Sequence, residues 1–183
     1  MPPSLSQLCI PRQSVFDTQR RDTVLDISDF IAGRIDPADF FDENYVTEGM
    51  KTLLLQGFSR LEGHSQQGVF RLKQAMGGGK THNLLTLGLL ARHPEFRQRV
   101  MGGFYQPDPN LGPVTVVAFS GRESDAPLGI WGAIAQQLGK ESFFSDNYSP
   151  PKAPGQTAWE NLLAGQTVLI LLDELAPYLE NAR

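Results

Sequence analysis

Val69-Phe70-Arg71-Leu72-Lys73-Gln74-Ala75-Met76-Gly77-Gly78-Gly79-Lys80-Thr81-His82 decides how this 183-residue chain folds. A short apolar run from Val69 to Leu72 enters three glycines, and an apolar helix predicted over Asn83 to Ala91 leaves them, stopped by Pro94. Strand, glycine loop and helix is the setting of the phosphate-binding pattern G-x-x-x-x-G-K-[ST], whose second half Gly77 to Thr81 matches. Gly77, Gly78 and Gly79 can take backbone angles closed to other residues and let main-chain N–H groups reach phosphate oxygens. The helix that follows aims its positive end at the same place. Lys80 supplies a mobile positive charge for terminal phosphates, Thr81 a hydroxyl suited to Mg²⁺, and His82 sits on the first helical turn. Gln74 stands where the pattern has its first glycine. A merely flexible turn is the competing explanation, but two extra glycines before Gly-Lys-Thr lower its chance frequency roughly 200-fold.

The second informative stretch is Val168-Leu169-Ile170-Leu171-Leu172-Asp173-Glu174, an apolar strand ending in two carboxylates. Ligands of open α/β sheets bind at that end of their strands. There Asp173 can hold Mg²⁺ beside Thr81, and Glu174 can orient and polarise the water that attacks a terminal phosphate. An acidic helix start explains such a pair equally well in isolation. Downstream of a phosphate loop, the pair instead predicts ATP and Mg²⁺ as ligands, with Lys80 and Glu174 as catalytic residues, Gly77 to His82 as the nucleotide cradle and Thr81 and Asp173 at the metal. No N-K-x-D string is present and Ala176, not glycine, stands three residues after Asp173, which argues against a GTPase.

Around these motifs, strands and helices alternate. Thr47 to Leu61 reads as a helix capped by Thr47 and stopped by Gly63. A strand is predicted over Val114 to Phe119, a helix with Trp131 on its apolar side over Leu128 to Leu138, and a polar loop over Ser142 to Gln156. A short helix over Thr157 to Leu163 leads to the strand Thr167 to Leu172. The alternation predicts an α/β fold, a three-layer P-loop NTPase core with a mainly parallel sheet over 44–183. Residues 1–43, punctuated by Pro2, Pro3, Pro11 and Pro37, read as a small arm with short helices.

Composition narrows the classes. With 40% hydrophobic residues the chain can bury a core, and a net charge of −4 argues against a surface built to wrap nucleic acid or anionic lipid. The single Cys9 and the lack of a leader or a long apolar run place the chain in the cytoplasm, without a membrane partner. His64, His82 and His93 lack zinc-ligand spacing. Arg20-Arg21 and Arg97-Gln98-Arg99 read as solvated faces, Arg122 as a weak candidate for a site contact, and Tyr45 to Glu48 as a candidate adenine pocket.

Gln74 to Leu85, together with Leu172 to Tyr178, resembles the amino-terminal part of large bacterial ATPases grouped as domain of unknown function 499. Ile35-Asp36-Pro37 and Tyr45 to Lys51 resemble the same group, so the likeness spans nearly the whole chain. It implies an AAA-like P-loop ATPase, often encoded beside DNA methyltransferases and helicases in phage-defence loci. It also implies that the chain is an amino-terminal fragment, cut after the acidic strand, with its polar sensor and arginine finger elsewhere. DNA or DNA-modifying proteins enter as partners through that resemblance alone. Three functions therefore compete: an ATPase module driving a larger assembly, with a homo-oligomer as one form of it; a helicase or translocase motor; and a scaffold that binds ATP with little hydrolysis.

Overall fold

The computed structural model describes residues 9, 16, 25–73, 77–122, 126–148 and 152–181. In chain order its helices are α1 (Ile27–Ile31), α2 (Pro37–Glu43), α3 (Glu48–Leu61), α4 (Lys80–Arg92), α5 (Arg97–Met101), α6 (Gly129–Gln137), α7 (Gln156–Leu163) and α8 (Leu175–Asn181). Two strands, β1 (Thr115–Ser120) and β2 (Val168–Asp173), pair parallel in the register Thr115↔Val168 to Ser120↔Asp173. The fold is therefore mixed helix and strand around a small parallel sheet.

Local chemistry accounts for most boundaries. Thr47 caps α3, its hydroxyl accepting from the Met50 N–H at 3.3 Å, and Gly63 follows the helix at φ 81°. Asp26 caps α1 in a reciprocal box with Asp29. Asp36 caps α2, where Pro37 takes the first position, since its missing N–H costs no bond there. Both short helices of the expected arm bury apolar side chains: Ile27, Phe30, Phe40 and Phe41 share one core with Leu54 and Phe58 of α3, Leu85 and Leu90 of α4, Val116 and Ala118 of β1 and Leu171 of β2. A second cluster forms where α6 and α7 meet. Ala135, Phe144 and Leu162 are buried there, with Trp131 and Trp159 packed on them. Phe144 reaches it from a 3₁₀ turn, Glu141–Asn147, inside the stretch expected to be polar loop.

Two expectations need correction. Val69 to Leu72 forms no strand. Val69 is 77% exposed, while Phe70 and Leu72 lean on the main core. The alternation of an extended segment is present, but a strand needs a neighbour to take its main-chain hydrogen bonds, and β1 and β2 pair with each other instead. A three-layer P-loop core is accordingly finer than the two-stranded sheet displays. Nor is Arg97 solvated: it is 3% exposed and donates to the carbonyls of Leu90 and Ala91 at 2.8 Å, of Gly112 at 2.9 Å, and of Leu111. It closes the carboxyl end of α4, where a cation meets the negative pole of the helix. Burial pushes its pKa down, against the pull of Glu62 and Glu95.

The outer edge of β1 is closed by side chains. The Gln137 amide accepts from the Ala118 N–H at 3.0 Å and donates to its carbonyl at 2.7 Å, as a neighbouring strand would, and Arg92 donates to the Val116 carbonyl at 3.1 Å. Among the described residues no helix is long and apolar enough to cross a membrane.

Candidate functional site

The site begins at the start of α4. Gly77 and Gly79 lie in left-handed conformations, φ 76° and 73°, which glycine takes without the steric cost a Cβ would bring. Gly79 is the residue before α4, Lys80 its first residue and Thr81 its second, so the loop opens directly onto the positive end of a 13-residue helix. Gln74, the departure from the motif, lies outside the described residues.

Across the sheet end stands Asp173, the last residue of β2 and 8% exposed. Its Oδ2 accepts from Thr81 Oγ1 at 2.6 Å, a contact between residues 92 apart in sequence. Its Oδ1 accepts from the Glu174 N–H at 3.0 Å. Thr81 and Asp173, each assigned to a metal by sequence, thus touch. Their oxygens are the donor type that Mg²⁺ selects, and one carboxylate with one hydroxyl leaves room for waters and phosphate oxygens in an octahedral shell.

Glu174 follows in an unusual backbone. Its φ of 46° is the only positive value at a non-glycine residue among those described. Gly121, just beyond β1, donates its N–H to the Asp173 carbonyl at 2.9 Å. A Cβ on Gly121 would stand 2.1 Å from the Glu174 carbonyl oxygen, so only glycine permits the two strand ends to approach this closely. That approach brings Arg122 onto Glu174 in a two-pronged ion pair: Nη2 donates to Oε1 at 2.7 Å and Nε to Oε2. The hydrogen bond to Glu174, and then its charge, raise the Arg122 pKa.

Residues 11–101 match the model of the DUF499 N-terminal domain. The chain belongs to the DUF499 family. No curated protein and no solved structure matches it. The matched stretch of this DUF499 chain carries the glycine loop and α4 but ends before β1, so Asp173 and Glu174 lie beyond it.

Other predicted site residues are dispersed. The His82 ring turns from the loop into the amino-terminal region of the DUF499 domain. Its Nε2 lies 2.6 Å from Asn44 Oδ1 and it stacks on Phe40 with ring centroids 4.8 Å apart. Burial lowers its pKa. Asn44, which sequence reading passed over, thereby ties the segment after α2 to α4; no spacing in the sequence signals a contact across 38 residues. Next to it Tyr45 is 80% exposed. His64 and His93 lie apart, beside Glu62 and Glu95. Arg122, assigned weakly by sequence, is the residue the structure brings onto the acidic pair.

Proposed function

We propose that this DUF499 chain binds Mg·ATP and hydrolyses it to ADP and phosphate. The observation that carries this reading is the 2.6 Å contact between Thr81 and Asp173, which unites the phosphate-loop helix with the acidic end of β2. The main-chain N–H groups of Gly77 to Gly79 and the Lys80 ammonium would bind the phosphates and fix their orientation. Thr81 and Asp173 would hold Mg²⁺, which when bound neutralises charge on the phosphate oxygens. Glu174 would orient a water and take its proton as the water oxygen bonds to the terminal phosphorus. The phosphorus–oxygen bond to ADP then breaks, its electron pair remaining on ADP. Family resemblance extends the proposal to an AAA-like motor or switch in a larger, homo-oligomeric assembly, DNA-associated or phage-defensive in role.

Calorimetry with Mg·ATP on the chain and on Lys80→Ala tests binding, and phosphate release by Glu174→Gln tests the base. Binding that Lys80→Ala weakens, and turnover that Glu174→Gln loses while keeping its binding, is the expected outcome. Binding without turnover in the unsubstituted protein would favour the scaffold function, and no Mg·ATP binding would end the reading.

A further inference from the structure

The first turn of α4 carries Lys80 and Thr81, yet it starts without a side-chain cap. The residue before it is Gly79, whereas α1, α2 and α3 are capped by the side chains of Asp26, Asp36 and Thr47. The N–H groups of a first turn have no partner inside the helix, so an uncapped start frays unless contacts from elsewhere in the fold secure it. Two sets of contacts do so here. From the sheet, Asp173 holds Thr81. From the amino-terminal region, Phe40 stacks on the His82 ring and Asn44 Oδ1 lies 2.6 Å from His82 Nε2. An amide oxygen can only accept, so the hydrogen of this bond is carried by Nε2. The nitrogen of the same amide is turned towards Sδ of Met50 in α3, 3.8 Å away, and Met50 is buried in the main core. The Asn44 amide is therefore oriented from both ends, by α3 and by the first turn of α4. His82 in turn is tied inward through its carbonyl, which accepts from the hydroxyl of the fully buried Thr86 at 2.8 Å.

Resting on the reading that this turn binds Mg·ATP, we propose that Asn44 is a positioning residue for the phosphate cradle: through His82 it holds the first turn of α4 in place before the nucleotide arrives. A turn that is already ordered spares the ligand the entropic cost of ordering it, so the contribution of Asn44 falls on affinity. Once Mg·ATP is bound, its own contacts with Lys80 and Thr81 hold the turn, and the chemical step proceeds as before.

The test is Mg·ATP affinity by calorimetry, with steady-state hydrolysis and a melting curve on each variant. Asn44→Ala is expected to raise Kd and KM about two- to ten-fold, the net worth of one hydrogen bond, with kcat held within about two-fold. His82→Ala, which also loses the stacking on Phe40, should weaken binding at least as much, and adding Asn44→Ala to it should cost nothing more, because both break the same bond. His82→Gln, whose amide can donate to the Asn44 oxygen, should recover most of the affinity. Phe41→Leu serves as the comparison: packed on Phe40 and Phe96 in the same core, it should lower the melting temperature and leave Kd unchanged, the pattern that a purely structural role would give Asn44→Ala as well. Should Asn44→Ala fail to fold, His82→Gln against His82→Ala decides, since equal affinities in those two deny the bond any part in binding. Unchanged Kd in Asn44→Ala overturns the positioning role and leaves the ATP reading standing. No Mg·ATP binding by the unsubstituted protein overturns both.

Discussion

The two halves of the candidate site rest on different foundations. Asp173 ends a strand that is paired along its whole length, register by register, with β1, and its neighbours Val117, Ala118 and Leu171 are almost fully buried. Gly77 to Lys80 follow an extended segment with no strand partner, on which Val69 is 77% exposed. Where the loop half meets the acidic half it is held by α4, through Leu85 and Leu90 in the core and through Thr81 on Asp173. The glycine loop can thus be positioned from its helix side alone, because helix packing requires only an apolar face, whereas a strand requires a second chain segment to complete its hydrogen bonds.

The largest expected effect falls on the loop half. Lys80→Ala should weaken Mg·ATP by about 10- to 150-fold, the worth of charge-assisted hydrogen bonds to phosphate, and leave thermal stability nearly unchanged. Calorimetry and a melting curve on the same sample separate the two. In the sheet half, Gly121→Ala should cost about 1–3 kcal/mol in urea unfolding, because a Cβ there meets main chain that cannot move aside cheaply. The sharpest contrast sets two valines against each other. Val117→Ala, 1% exposed in β1, should cost about 2 kcal/mol, while Val69→Ser should change stability by less than about 0.5 kcal/mol. Equal costs at the two positions would mean that 69–72 is packed as a strand after all.

The smallest effect belongs to His82, between the halves and the amino-terminal helices. Burial lowers its folded-state pKa, so the neutral ring is favoured in the fold and the unfolded chain takes up the proton first. Its contribution to stability is present above about pH 6.5 and is lost as pH falls through the folded value. The melting temperature should drop between pH 7 and pH 5 by no more than about 2–4 °C on this account, and His82→Gln should lack that portion of the drop.

What was legible in the sequence were features written in local chemistry. Thr47 and Gly63 bound a helix because a side-chain oxygen and a left-handed residue act within a turn of the chain. The glycines before Lys80 announced left-handed backbone by residue type, and the two buried runs now forming β1 and β2 were recognisable as strands. Val69 to Leu72 carried the same kind of pattern and came to a different end, since apolar alternation specifies an extended segment but not its partner. Likewise Arg97 looked like a surface charge until the carbonyl end of α4 and the Leu111 and Gly112 carbonyls converged on it.

By itself, the sequence determined the helix caps, the conformational freedom of the loop and the supply of oxygen ligands, all of which depend on atoms a few bonds apart. Only the tertiary structure decided that Thr81 touches Asp173, that Arg122 grips Glu174 and that His82 turns towards Asn44. These contacts join residues 92, 52 and 38 positions apart, and no local preference encodes them. They follow from which apolar faces bury together, a choice made by the whole core at once.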